Sequence, residues 1–187
     1  VLKQYFPGIF DGIDSEEFYR AINRVQPGLI RVEADEVCYN LHIIIRFELE
    51  QALLDGSLSV ADLPGAWKEK YKKYLFMDVP DNRRGCLQDI HWSDASFGYF
   101  PSYAVGNIYA AMLTETMQEE MPHLDEELEE GHFSNILDWL RINVHRHGSR
   151  FKARELVEHI TGEEISARPL IDYMVEKYTD IYKIAGN

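Results

Sequence analysis

Apolar residues recur in this chain at three- and four-residue spacings almost from end to end, a period that admits amphipathic helices and little else. From about Asp35 to Leu54 the positions Val37, Leu41, Ile44, Ile45, Leu49, Ala52 and Leu53 share one helical face, stopped by Gly56. A second stripe, Leu63, Trp67, Tyr71 and Tyr74, predicts a helix over about Val60 to Leu75. Asp14 or Ser15 can cap an earlier helix running to about Val25, before Pro27-Gly28. Further on, Ser102 is expected to cap a helix with the stripe Val105, Ile108, Met112, Leu113 and Met117, ended by Pro122. Helices over about 134–147, 151–161 and 168–184 complete the pattern, the last striped by Leu170, Ile171, Met174, Val175, Tyr178 and Ile181. The fold class is therefore all-α. A chain of 187 residues at 45% hydrophobic content can bury one good core, so a single domain over 1–187 is expected. One stretch breaks the period: Asp78 to Pro101, punctuated by Pro80, Gly85, Gly98 and Pro101, reads as irregular with a short helix or strand near Leu87.

Charge narrows the function. Nineteen basic residues against 32 acidic ones give a net charge of −13, which argues against nucleic acid and against an anionic membrane surface as partners. The acids are densest at Glu119-Glu120, Asp125-Glu126-Glu127 and Glu129-Glu130, read as a solvated surface flanked by His123 and His132. Cys38 and Cys86 have no metal-ligand spacing, so a reduced, cytoplasmic protein is expected. The run Ile43-Ile44-Ile45 is far too short to span a bilayer. The chain opens without Met on Val1-Leu2-Lys3, and Lys3 to Gly8 reads like the middle of a loop, so a piece of something longer is expected.

Two segments carry side chains suited to chemistry. In Gly85-Cys86-Leu87-Gln88-Asp89-Ile90-His91-Trp92 and the following Ser96 to Tyr103, one histidine and two tyrosines, Tyr99 and Tyr103, fall within thirteen residues. Imidazole and phenol are donors suited to a developing oxyanion. A lone His beside Trp is more often a core residue, but Gly98 and Pro101 are unusual in a helix core. The second segment is Ile30-Arg31-Val32-Glu33-Ala34-Asp35. There a guanidinium lies just before the positive end of a helix, held between two apolar residues. Its plainer reading is a surface pair with Glu33 or Asp35; its functional one is a planar fork for a carboxylate. Tyr39, His42 and Arg46 share a polar strip of the long helix. Arg141, His145, Arg146, His147 and Arg150 form a basic cluster near a helix end, with His145 and His147 on different faces and so poor joint metal ligands.

Ile30-Arg31-x-x-Ala34-Asp35 and Gly85-x-x-Gln88-Asp89-x-His91-Trp92 resemble two signature motifs of the carboxypeptidase Taq family of zinc metallocarboxypeptidases. The likeness extends from Phe10-Asp11-Gly12-Ile13 to Tyr178-Thr179-Asp180-Ile181-Tyr182. It implies the C-terminal helical lobe of an elongated, zincin-like metallopeptidase with a deep groove, homodimeric and cytoplasmic. The family's His-Glu-x-x-His, which holds Zn²⁺ and a general base, begins at none of the seven histidines (His42, His91, His123, His132, His145, His147, His159). No metal ligand is therefore assigned in this chain. Zinc, or cobalt in its place, is expected on the upstream part of the same protein, which is the first partner implied. Cys38 stands where the family is expected to have Thr.

The resemblance implies roles as well. Arg31 binds the free C-terminal carboxylate of a peptide substrate, His91 hydrogen-bonds the substrate or tetrahedral intermediate, and Tyr103, with Tyr99 as second choice, donates to the oxyanion. Gln88, Asp89 and Asp35 support them, the first two by orienting His91 and the loop. The intact protein is expected to release single C-terminal amino acids, and this chain alone to be inactive. An open reading frame encoding His-Glu-x-x-His upstream separates that expectation from its alternative, a non-catalytic helical peptide-binding module or naturally truncated relative. In a fragment, Phe97, Tyr99, Phe100 and Tyr103 are expected to be exposed, favouring self-association.

Overall fold

A computed structural model describes residues 2–184; Val1 and residues 185–187 of the expected 1–187 span lie outside them. Among the described residues there are nine α-helices and no strand: α1 (Leu2–Tyr5), α2 (Ser15–Ile22), α3 (Glu36–Leu54), α4 (Leu63–Leu75), α5 (Pro101–Glu120), α6 (Leu124–Glu130), α7 (Ser134–Asn143), α8 (Ala153–Thr161) and α9 (Arg168–Tyr182). They fall into two compact units, residues 1–101 and 102–187.

The first unit is built on α3 and α4. Asp35 starts α3 by accepting from the backbone N–H of Val37 at 3.0 Å and Cys38 at 2.8 Å, and its other oxygen takes the Gln26 N–H at 2.9 Å. Pro64, in the first turn of α4, gives up an N–H that has no helical partner anyway. Between the two helices lies a core of Cys38, Ile45, Leu49, Trp67, Tyr71 and Leu75, extended by Val79 and Cys86 from the segment that follows. That segment is turns throughout, with neither the helix nor the strand expected near Leu87. Gly85 is where it comes closest to the core: a Cβ there would meet Val79 Cγ1 at 3.0 Å and the Asp81 carbonyl oxygen at 3.1 Å.

Helix α3 buries the middle of its apolar face, with Ile45 at 0% and Leu49 at 1% exposure, and a polar strip beside it. Ile44 is 40% exposed, while His42, Arg46 and Glu50 are at most 2% exposed. The three polar residues are four apart, hence one above the other on one face. Burial is favourable there only because each has a partner, as described below.

The second unit gathers Met112, Leu124, Trp139, Val157, Tyr178 and Ile181 in its interior. Trp139 Nε1 donates to Glu120 at 2.6 Å, tying α7 to the end of α5. Several sequence expectations shift here. Helix α5 begins at Pro101, with Ser102 inside the first turn. The acidic run folds into α6, ended by Gly131 in the left-handed region. The helix expected over 134–147 stops at Asn143 and continues as a 3₁₀ turn, His145–His147. On α9, Ile171 and Val175 face outward, at 54% and 60% exposure. In the first unit, α2 ends three residues before Val25, and the Lys3–Gly8 stretch begins with the short α1.

Candidate functional site

Arg31 opens a 3₁₀ turn, Arg31–Glu33, just ahead of α3, and it is 7% exposed. Its ion pair spans 58 residues, to Asp89, in place of the local surface pair with Glu33 or Asp35. Nε and Nη2 donate to Asp89 Oδ1 at 3.0 and 2.7 Å, and Nη1 donates to the Tyr39 hydroxyl at 3.2 Å. Gln88 fastens the backbone on either side. Its Oε1 accepts the Arg31 N–H at 2.9 Å, and its Nε2 donates to the carbonyls of Leu29 at 3.0 Å and Arg84 at 3.1 Å. The two sequence motifs are thus one structural object.

Asp89 spends its second oxygen on another arginine. Arg46 Nε donates to Oδ2 at 2.7 Å and Nη2 lies 2.6 Å from it. Arg46 also donates from Nη1 to the His42 carbonyl at 2.9 Å, and its guanidinium carbon sits 4.7 Å above the Trp67 ring. Burial pushes the Asp89 carboxyl up, but the Arg46 charge and the bonds from both arginines outweigh it and hold the carboxyl below its ordinary value. For Arg31, burial opposes the cation, and the bonds to Asp89 raise its pKa nonetheless.

The rungs on either side of Arg46 are also occupied. Glu50 accepts from Trp92 Nε1 at 3.0 Å. His42 Nδ1 lies 3.0 Å from the Tyr71 hydroxyl, which donates to the Leu29 carbonyl at 3.2 Å. His42 Nε2 is buried and has no hydrogen-bond partner. Burial first, then the charges of Arg46 and Arg31, lower the His42 pKa to about 4.

His91 packs against Phe100 at 4.4 Å and Tyr99 at 5.7 Å between ring centroids. Phe100 is the common neighbour, since the guanidinium carbons of Arg31 and Arg46 lie 5.8 and 5.5 Å from its ring. It is 1% exposed, contrary to the exposure expected of it, whereas Tyr99 and Phe97 are 52% and 43% exposed. In the first unit the structure therefore brings together Arg31, Gln88, Asp89, His91 and Tyr99. Asp35 serves as the cap of α3. Tyr103 lies in the first turn of α5 and belongs to the second unit.

Sequence reasoning gives too little weight to Arg46 and His42, placed on a polar strip, to Trp67 and Tyr71, placed as packing, and to Phe100, expected to be exposed. The available signal is a polar residue every fourth position within an apolar helix.

Among the described residues no group of three or more His, Cys, Asp or Glu side chains is arranged to hold a metal ion. Burial and the nearby Asp35 carboxylate push the Cys38 thiol up to about 12, so it stays protonated. No helix among the described residues is long and apolar enough to cross a membrane.

A buried guanidinium joined to a Gln-Asp-x-His-Trp loop on an all-helical frame is the arrangement expected of a metallocarboxypeptidase lobe. The chain belongs to the carboxypeptidase Taq (M32) metallopeptidase family, whose sequence profile matches residues 1–178. It is 47% identical over 180 residues to thermostable carboxypeptidase 1 of Thermus thermophilus, covering 96% of this chain and 35% of that protein. With carboxypeptidase 1 of Bacillus subtilis the identity is 46% over 181 residues, covering 97% and 36%. The solved M32 carboxypeptidase of Deinococcus radiodurans matches with a TM-score of 0.94 at 40% identity, covering 97% of this chain and 37% of that one. The chain spans about a third of the length of these relatives.

Proposed function

We propose that this chain carries the substrate-reading half of a carboxypeptidase site, in a protein that removes single amino acids from peptides with a free C-terminus. The observation that carries the reading is Arg31: a cation 7% exposed, fixed along one edge by Asp89, in a group of two guanidiniums around one carboxylate. The formal charge of those three side chains is +1, which suits a second carboxylate, that of the substrate's C-terminus. A bidentate, charge-assisted contact there distinguishes a chain end from an internal peptide bond.

His91, held by Phe100 and Tyr99, has the role of hydrogen-bonding the scissile carbonyl region. Tyr103 is assigned the phenol that donates to the developing oxyanion, with Tyr99 second. Gln88 and Asp89 hold Arg31 and its backbone, and Asp35 holds the start of α3 on which that loop rests.

The zinc or cobalt expected of such an enzyme has no ligand set among the described residues. In this reading the metal belongs to the remainder of the protein, and this chain by itself is inactive. Release of a terminal amino acid by this chain alone, with added zinc or cobalt and a blocked dipeptide, would overturn that. A cytoplasmic homodimer completes the reading; sedimentation of the full-length protein tests the dimer.

The central test is kinetic. In the full-length protein, Arg31→Ala should raise KM for free-acid peptides while metal content stays unchanged. A wild-type protein that binds amidated and free-acid peptides equally well would refute the assignment. Tyr103→Phe should lower kcat by roughly ten- to a thousand-fold, as for loss of one oxyanion donor. A larger fall with Tyr99→Phe would move that role to Tyr99.

A further inference from the structure

We propose that Arg46 is a positioning residue for Arg31, acting through Asp89, and that it sets both the aim of Arg31 and the positive charge Arg31 offers a ligand. The inference rests on the reading of Arg31 as the carboxylate clamp.

The geometry supplies the chain of contacts. Arg31 sits on a 3₁₀ turn and Asp89 in a run of turns, so neither backbone belongs to a long regular element. Arg46 does, eleven residues into the 19-residue α3. It is 0% exposed, clasped by the His42 carbonyl at 2.9 Å and stacked 4.7 Å over Trp67. Its Nε–Nη2 edge grips Asp89 Oδ2, while the same edge of Arg31 grips Oδ1. A carboxylate held on one oxygen by a fixed partner cannot turn about its own axis. The position of Asp89 Oδ1 therefore sets the point at which the Nε–Nη2 edge of Arg31 is held.

Charge gives a second consequence. A single carboxylate paired with Arg31 alone would form a neutral pair, with little attraction left for an anion. Sharing Asp89 with Arg46 leaves the group at +1, within a buried setting where Coulomb attraction is poorly screened. Arg46→Lys and Arg46→Met separate the two effects. Lysine keeps the charge and loses the two-point grip, whereas methionine, of similar length and apolar, loses both.

The experiment measures kcat and KM in the full-length protein for wild type, Arg46→Lys, Arg46→Met, Arg31→Ala and the Arg31→Ala/Arg46→Met double variant, on a free-acid dipeptide. Arg46→Met is expected to raise KM by about five- to a hundred-fold, the range of coupled pairs, with kcat changed by less than about three-fold. Arg46→Lys should fall between it and wild type. Because Arg46 acts through Arg31, the double variant should be no worse than Arg31→Ala alone, a result that a merely structural role would not give. Multiplying effects in the double variant, or a loss confined to kcat, would overturn the proposal. If Arg46→Met does not fold, Arg46→Lys with and without Arg31→Ala is judged by the same criterion. A raised KM in Arg31→Ala with independent Arg46 effects sinks the positioning role alone. An unchanged KM in Arg31→Ala sinks the clamp reading itself.

Discussion

Lowering the pH from 7 towards 4 should weaken the first unit because of His42. Its imidazole is 0% exposed, with Nδ1 3.0 Å from the Tyr71 hydroxyl and Nε2 without a hydrogen-bond partner. A second proton would leave a buried Nε2–H lacking an acceptor on a cation that faces the guanidiniums of Arg46 and Arg31, opposed by Asp89 and Asp35. Together these effects hold the folded pKa at about 4, against 6.5 for an unperturbed histidine. Between those two values the unfolded chain binds the proton and the folded one does not. The contribution is therefore fully present above about pH 6.5 and is lost as the pH falls towards 4. At ~1.4 kcal/mol per pH unit, the interval amounts to roughly 3 kcal/mol. The group is fully buried, so solvent screening takes little from that figure. Asp89 and Asp35, both held below their ordinary values, lose their stabilising ionisation at lower pH. Urea unfolding at pH 7, 5.5 and 4 reads the effect. His42→Gln, which can still hydrogen-bond Tyr71, should be less stable at pH 7 but lose less on acidification. Equal slopes for wild type and His42→Gln would refute the reasoning.

Three further outcomes follow from the same contacts. Asp89→Asn leaves Arg46 buried without its counter-charge and should cost about 3–5 kcal/mol in urea unfolding; a loss under ~1 kcal/mol would mean the triad relaxes to let water in. Trp92→Phe keeps an aromatic ring, though a smaller one, and strips the donor from Glu50, itself 2% exposed, so it should cost at least about 1–3 kcal/mol by the same assay. Gly85→Ala drives a methyl to 3.0 Å from Val79 and 3.1 Å from a backbone carbonyl, which should cost about 1–3 kcal/mol. A neutral Gly85→Ala would show that the Val79–Gly85 turn moves freely.

How far the sequence could be read depended on where each residue's partner lies. Helix α4 was legible because Trp67, Tyr71 and Leu63 form an apolar stripe whose burial needs no particular neighbour. Its neighbour α3 was legible as a helix but not as a surface, since polar residues at positions 42, 46 and 50 look like a solvent-facing strip. Their burial is stabilised by Tyr71, Asp89 and Trp92, which lie 25 to 43 residues away and leave no local trace. The acidic run was obscure for a different reason: Leu124 to Glu130 has the composition of a helix and a glycine stop, but its charge density points to solvent first.

The motifs of the candidate site were legible one by one, and the closure of Arg31 onto Asp89 was not. That closure explains why the polar strip of α3 is buried, and not turned to solvent. An apolar groove would hold the Asp78–Pro101 segment but let it slide by a residue at small cost, because dispersion contacts are non-directional. Guanidinium on carboxylate and indole on carboxylate each admit one register. A slip of one residue would bury Arg46 and Glu50 without partners, at several kcal/mol apiece. The polar strip therefore fixes the position of a segment that has no secondary structure of its own. In fixing Asp89 and Trp92 it also fixes His91 between them.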